Sequence, residues 1–574
     1  MNIRRRFESR ASLPVPRRAA VLAAVVVALA GGSAAERYGA MAAPPSDWPQ
    51  WGGSPARNNV SDATNLPVEW NFGKIDYRTN QWDSSGARNI RWVARLGSTS
   101  YGTPVVAGGK VFCATNNGAG YVRRYPPEVD LGVLLCFEQS SGRFGWQLSR
   151  EKLAAGRALD WPEQGICAMP LVEGDRAWIV TNRCEVLCLD ALGFYDNQND
   201  GPDQSEPSTD RAEADIVWQF DMFERLGVRP HNMSSCSVTA AGDLLLVCTS
   251  NGVDESHETI PAPEAPSFIA LDKHTGELVW ADASPGRNLL HGQWSSPAFA
   301  VIDGVGQAIF AGGDGWLYSF RVDEADRTSP RGGPDRRPEL LWKFDCNRKS
   351  AVFKPSGRGQ RDELIATPVV VGHRVLIATG ADPEYGEGPG RLWCIDARRR
   401  GDISAELVVD ASGRSVAPRR ETAVNPEAGE KVVPNPNSGA LWCYTGEDRD
   451  GDGQLQFEEA MHRTLGMAAV ADGLLVVGDL AGLVHCLDAE TGRPHWTHDM
   501  LAAMWGSPLV ADGKIYIADE DGEVAVFELA AERHLLAENS LGNSIYSAPV
   551  AVGEVLYIAT RTHLVAIAKD PAKR

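Results

Sequence analysis

The stretch WGSPLVADGKIYIADEDGEVAVFEL, residues 505–529, decides the fold. A small residue followed by Ser-Pro opens a first strand, Ala-Asp-Gly turns the chain, KIYIA alternates as a second strand, and EVAVFEL follows a further Asp-Gly turn as a third. The stretch LVHCLDAETGRPHW, residues 483–496, supplies the rest of the unit: a third strand ending in Asp, a Thr-Gly turn, and a fourth strand that reaches a tryptophan. Apolar and polar residues alternating over five to eight positions between glycine turns mark antiparallel strands and hairpins. No sustained helical period interrupts them.

Outward from this unit, the first-strand motif recurs around Pro104, Pro170, Cys236, Pro297, Pro368, Ala468, Pro508 and Pro549, eight times in all. Strand-ending tryptophans follow the first four and the sixth, at Trp146, Trp218, Trp280, Trp342 and Trp496. The eighth unit stops after three strands, whereas RNIRWVARLG at residues 88–97 reads as a fourth strand lacking its first three. Pairing the two closes a ring and removes the open sheet edge that would invite aggregation. The expected architecture is all-β: one domain from residue 46 to 574, an eight-bladed propeller of four-stranded antiparallel blades, closed by an N-terminal strand completing the last blade.

The motifs FIALDKHTGELVW, residues 268–280, and CLDAETGRPHW, residues 486–496, resemble the tryptophan-docking repeat of the PQQ-like propeller family. The resemblance runs over essentially the whole chain after its first few dozen residues. It implies that Trp146, Trp218, Trp280, Trp342 and Trp496 pack against the neighbouring blade. It also implies two functional classes. One is the quinoprotein dehydrogenases, in which a propeller holds pyrroloquinoline quinone (PQQ) with calcium and oxidises an alcohol or sugar; their alcohol-oxidising branch usually carries adjacent cysteines over the cofactor. The other is the BamB-type assembly factor, a non-enzymatic propeller of bacterial envelopes that binds protein partners through its rim. This chain has no adjacent cysteines and no match to the dehydrogenase's set of Glu, Asn and Asp, so a binding module is expected and no catalytic residue is assigned. Its first cysteine, Cys113, falls too late for a lipid anchor.

In a four-strand meander, the connections from fourth to first strand and from second to third share one rim. That rim carries GVRPHNMS before Cys236, RNLLHGQWSS before Pro297, residues 250–267, and GADPEYGEGPG at 380–390. Long, chemically varied loops on a rigid scaffold are where binding usually resides. His231, Asn232, His291, Gln293 and Trp294 precede channel-lining strands, and Asp382, Glu384 and Glu387 reach toward the same mouth. These eight residues are the expected ligand funnel for a protein partner or small molecule. The opposite rim has three long connections, at 191–215, 323–340 and about 397–440; the last two are rich in Arg, Pro and Gly and are expected to be mobile.

DRDGDGQLQFEE, residues 448–459, satisfies the calcium-loop pattern D-x-[DN]-x-[DN]-G-x5-E. Calcium needs about seven oxygens at about 2.3–2.6 Å, which Asp448, Asp450, Asp452, the Gln454 carbonyl, Gln456 or a water, and bidentate Glu459 would supply, with Gly453 permitting the turn. A strand, LWCY, stands where an EF-hand would have its entering helix, so a structural rather than a sensing role is expected. A second acidic stretch, Asp196 to Glu206, fits the pattern less well.

The chain has 574 residues, 43% of them hydrophobic, and a formal charge of −19. Its start couples arginines to an apolar run from Ala19 to Ala30, too short to span a bilayer and suited to a secretory signal ending at residue 35 or 42. Removing residues 1–35 takes away six arginines and one glutamate, which moves the charge from −19 to −24. So acidic a body repels nucleic acid and anionic lipid. The protein is expected to be an exported monomer of the periplasm or envelope, or extracellular, without a transmembrane segment in its mature form. Of the eleven cysteines, Cys136, Cys188, Cys394, Cys443 and Cys486 recur in strand motifs and read as small buried hydrophobes.

Overall fold

The computed structural model describes residues 47–570, apart from residues 77, 334, 356 and 357. The expected signal segment lies outside the described residues. Eight sheets follow one another along the chain, spanning 105–151, 171–221, 239–282, 298–345, 369–444, 469–499 and 509–540, and finally 550–567 joined to 90–95; we number them blades 1 to 8. Each is an antiparallel meander of four main strands. Ring closure is direct: His563–Ile567 pairs antiparallel with Ile90–Arg95, setting Val565 opposite Val93.

The repeat motif has a physical origin at each blade junction. The residue just before the first-strand proline, or its equivalent, is Thr103, Ser237, Ser296, Thr367 or Ser507 in five blades. Each of these hydroxyls accepts the backbone N–H of the corresponding residue one blade earlier: Ala548 to Thr103 at 3.0 Å, Met169 to Ser237 at 3.0 Å, Ser237 to Ser296 at 2.9 Å, Ser296 to Thr367 at 3.3 Å and Met467 to Ser507 at 2.8 Å. Backbone donors that would be stranded in the channel wall are satisfied between blades. This register places the equivalent of the proline in blade 3 at Val238, two residues beyond the Cys236 anchor of the sequence reading; the strand there is Thr239–Ala241.

The tryptophans dock as expected: Trp146, Trp218, Trp280, Trp342 and Trp496 are all buried. Trp146, Trp218 and Trp496 donate their indole N–H to Ala191, Lys273 and Ala530 carbonyls of the next blade. Two more belong to the set. Trp92, on the closing strand, donates to the Gln139 carbonyl of blade 1, and Trp442 of blade 5 lies over the Gly492 turn of blade 6. The glycines of the Thr-Gly turns serve two ends: Gly276 and Gly492 hold φ near +72° and +71°, and a Cβ there would fall 2.6 Å from Trp218 and 2.5 Å from Trp442. Blade 7 has no such tryptophan on its outer strand, Leu535–Ser540; Trp70 of the N-terminal segment is buried beside it and bonds Asn539.

That N-terminal segment does more than cover a blade. Between Trp48 and Ser61 it bonds the inner strands of all eight blades in order: Val106, Val172, Thr239, Phe299, Val370, Val470, Val510 and Ala551. At its centre Arg57 is wholly buried, with φ +65°, and donates to the carbonyls of Trp51, Pro297, Ser237 and Val238 at 2.7–3.0 Å. Desolvation lowers its pKa to about 10, so the guanidinium stays charged among carbonyls without a carboxylate partner.

Two expectations are corrected. The connection 397–440 is not a loose loop on the far rim: Gly401–Asp402 joins the outer strand of blade 4 in parallel, Glu406–Val409 and Lys431–Pro434 form a hairpin, and Arg420 donates to the Glu258 and Leu290 carbonyls of the funnel-side loops. Composition hid these strands because they show little alternation among Arg, Pro and Gly, and 401–402 pairs with an edge made elsewhere in the chain. Cys443 is exposed, whereas Cys136, Cys188, Cys394 and Cys486 are buried. The four lie on third strands and Cys443 on an outer fourth strand, where alternate side chains face solvent.

Candidate functional site: an aromatic funnel at the loop-rich rim

Three residues before the first-strand proline or its equivalent, the eight blades contribute Tyr101, Cys167, Ser235, Trp294, Ile365, Leu465, Trp505 and Tyr546, and every one of them lines a single cavity of about 300 Å³. One repeat position thus encodes the wall of a funnel around the propeller axis. Trp51 from the N-terminal segment contributes from below, and Trp161, Gln164, Asn232, Asp382 and Glu384 complete the polar and aromatic lining.

The wall is chemically two-sided. On blades 7, 8 and 1, Trp505, Tyr546 and Tyr101 form one aromatic cluster: Tyr101 stacks on Tyr546 at 4.9 Å between centroids, and Trp505 lies 5.1 Å from Tyr546 and 5.9 Å from Tyr101. Trp505 is fixed by its bond to Glu520. On blade 5, across the ring, stand Asp382 and Glu384. Desolvation raises the Asp382 pKa, and the Asp382 carboxylate caps the short helical turn Pro383–Tyr385 by accepting the Glu384 N–H at 2.9 Å. The Trp51 indole N–H and Gln164 Oε1 are buried without a protein partner, so both hold hydrogen-bonding capacity that a ligand could use.

Of the eight residues the sequence reading placed at this mouth, Asn232, Trp294, Asp382 and Glu384 line the funnel. Gln293 is buried behind it, donating to the Asn251 carbonyl and Ser267 hydroxyl, and Glu387 is exposed on the outer loop. His231 and His291 are buried in a layer behind the wall, where they meet His257 and Tyr385. Burial depresses both pKa values, His231 to about 3 and His291 to about 4, so both imidazoles are neutral. The sequence reading missed Tyr101, Trp161, Trp505 and Tyr546. Aligning the repeats on their prolines and reading down the column three places earlier would have found all but Trp161.

The acidic loop 448–459 connects blades 5 and 6 on this same rim. Carboxylate oxygens of Asp448, Asp450 and Glu459 lie within 4.8 Å of one another. Asp448 accepts the Gly451 and Gly453 N–H groups at 2.8 and 2.9 Å, Asp452 accepts that of Gln454 at 2.7 Å, and Glu459 accepts those of Arg449 and Gln456 at 2.9 and 3.1 Å. Gln456 turns its side-chain amide to Asp452. Gly453 takes φ +84°, the conformation its position requires. The strand Ala440–Tyr444 precedes the loop, in place of a helix. In the second acidic stretch only Asp200 joins a carboxylate group, with Asp190 and Asp215, and Arg176 pairs with Asp190 and Asp200 there.

The family described as outer membrane protein assembly factor BamB matches residues 422–570, which form the last part of blade 5 and the C-terminal blades of this eight-bladed ring. Over those residues the chain is similar to the PQQ-like repeat propellers. Similar solved structures are BamB from Moraxella catarrhalis, 15% identical over 83% of this chain and 99% of that one with a TM-score of 0.48, and the quinohemoprotein alcohol dehydrogenase from Comamonas testosteroni, 11% identical over 93% of this chain and 82% of that one with a TM-score of 0.44. A europium-containing methanol dehydrogenase is 12% identical over 92% of this chain and 98% of that one, with a TM-score of 0.41. Among curated proteins no sequence matches the chain. No helix among the described residues of this propeller is long and apolar enough to cross a membrane.

The residues lining the propeller's funnel do not suit PQQ. That cofactor is an acidic quinone carrying carboxylates, and the described lining holds Asp382 and Glu384 but no lysine or arginine. Bringing a polyanion into this cavity would set like charges together with no counter-charge from the wall.

Proposed function

We propose that the protein is an exported, non-enzymatic PQQ-like repeat propeller that holds a protein partner or small ligand in the funnel of its loop-rich rim, with the loop 448–459 as a structural calcium site bracing that rim. The carrying observation is the two-sided funnel: an aromatic wall opposite two carboxylates in a cavity of about 300 Å³. Concave, largely apolar cavities with a few convergent polar groups are typical ligand sites. Aromatic faces and carboxylates together favour a neutral ring or a cationic group and disfavour an anion. The start of the chain, read as a secretory signal, and its acidity support export to the periplasm or envelope. The BamB-type family match supports a protein partner.

The test is a tryptophan-fluorescence titration of residues 36–574 with calcium present, using lysine- and arginine-bearing peptides, neutral sugars, and acidic peptides of the same length. Saturable quenching by a cationic or neutral probe, weakened about tenfold or more by Trp505→Ala, is the expected result. Preference for the acidic probes would overturn the reading. So would a bound quinone chromophore after incubation with PQQ and calcium, accompanied by dye-linked oxidation of an alcohol or sugar.

A further inference from the structure

Behind the blade 5 side of the funnel, three loops far apart in sequence bring three histidines to one point. His231 lies in the connection between blades 2 and 3, His257 in the connection between the second and third strands of blade 3, and His291 in the connection between blades 3 and 4. Their ring centroids are 4.4–4.9 Å apart, and one nitrogen of each lies within 4.8 Å of a nitrogen of the others. Gly252 makes the approach feasible, since a Cβ there would fall 2.7 Å from His231 Cβ and 3.0 Å from the His291 carbonyl.

A histidine cluster alone could be a packed polar core, but two observations point to a ligand. First, His231 Nε2 and His291 Nδ1 are fully buried without a hydrogen-bond partner, on side chains that are 0% and 2% exposed. An unpaired buried polar atom is costly, and such groups in native folds call for an ion or water. Second, a cavity of about 10 Å³ opens beside His257 and His291, walled by Asp362, Glu363 and Tyr385 and also by Lys354 and Arg361, room for a single water-sized guest.

We propose that His231, His257 and His291 bind one divalent first-row transition ion, with the carboxylate of Asp382 or Glu363 completing the site. Imidazole is the ligand such ions favour, and three histidines with a carboxylate or water suit zinc. The surrounding groups are those that orient metal-bound imidazoles. His231 Nδ1 bonds the Val253 carbonyl at 2.8 Å and His257 Nδ1 meets the Tyr385 hydroxyl at 2.9 Å, whereas the unpaired His291 Nδ1 faces the completing carboxyl groups, 3.4 Å from Glu363 and 3.8 Å from Asp382. The Tyr385 hydroxyl also lies 3.3 Å from His291 Nε2, so it is the group an arriving ion would displace or recruit. Metal–nitrogen bonds of about 2.0–2.1 Å set ligand nitrogens about 3.4 Å apart. The rings must therefore draw in slightly, and His257, only partly buried, is free to do so. Glu363 and Asp382 bring two buried carboxyl groups against neutral rings, and a dication would favour their ionised form. Because Asp382 also lines the funnel, an ion held here would set the charge of the ligand cavity.

The experiment titrates Zn²⁺ into residues 36–574, previously stripped with a chelator and saturated with Ca²⁺, following heat by calorimetry and stoichiometry by elemental analysis. Co²⁺ in place of Zn²⁺ reports coordination by its visible absorption. One Zn²⁺ per chain is expected, with binding weakened about tenfold or more by His257→Ala and by His291→Asn and unchanged by Asp448→Asn. His257 is near the surface, so its variant should keep the native circular dichroism even where a change at buried His291 unfolds the chain. Unchanged zinc affinity in folded His257→Ala, a loss of binding in Asp448→Asn alone, or no stoichiometric zinc in the parent protein would each overturn the proposal.

Discussion

Single side chains in this propeller carry unusual electrostatic weight where burial desolvates them. Asp314, in the tight turn between the second and third strands of blade 4, is buried, and desolvation pushes its pKa up to about 7 although the Tyr318 hydroxyl donates to it at 2.6 Å. The folded chain therefore holds a proton on Asp314 between pH 4 and 7 that the unfolded chain has released. That contribution to stability is full at low pH and is lost as the pH rises through about 7, for a change of about 4 kcal/mol between pH 4 and 8. Thermal melts of Asp314→Asn should lose less stability than the parent between pH 5 and 8; parallel curves would show that Asp314 is ionised in the fold. Sequence could not have indicated this residue. A Gly-Asp-Gly turn reads as solvated, and its burial follows from Asn347, Trp316 and Tyr318 closing over it.

Among the elements, the Thr-Gly turn and its tryptophan form the clearest unit, and glycine is needed there on two counts. Gly276→Ala places a methyl group 2.6 Å from the Trp218 ring at φ +72°, and should cost about 2 kcal/mol or more in denaturant unfolding. Gly304→Ala, at φ +78° but with open space around it, should cost only about 1 kcal/mol. Equal losses would mean that backbone strain alone matters and that the tryptophan yields freely. The acidic loop makes a separate prediction: Ca²⁺ should raise the melting temperature of the parent by several degrees, about what a ligand at a hundredfold its Kd gives, and Glu459→Gln should abolish the rise. Both elements were legible as motifs, since turn chemistry and calcium-ligand spacing are local in sequence. The strands at 401–402, 406–409 and 431–434 were not, because they carry no alternation strong enough to stand out among Arg, Pro and Gly.

For the whole molecule, the segment Trp48–Ser61 is the decisive device, since it ties the inner strands of eight blades to one another across the channel. Removing residues 47–61 should leave backbone donors unpaired on most inner strands and take Arg57 out of its cage of carbonyls, and the expected outcome is aggregation or a sharply lowered melting temperature by light scattering and circular dichroism. A monomer with an unchanged melt would show that ring closure by Ile90–Arg95 suffices. Repetition by itself determined the architecture: eight like first strands, six of them proline-led, and the displaced fourth strand at 88–97 require a closed ring, because each strand's alternation and turns act between neighbours in sequence. Only the tertiary structure decided what the ring encloses. The channel-spanning segment, the aromatic wall assembled from one residue per blade and the meeting of His231, His257 and His291 all join groups tens to hundreds of residues apart, and such contacts arise from the curvature of the closed ring, which no local pattern records.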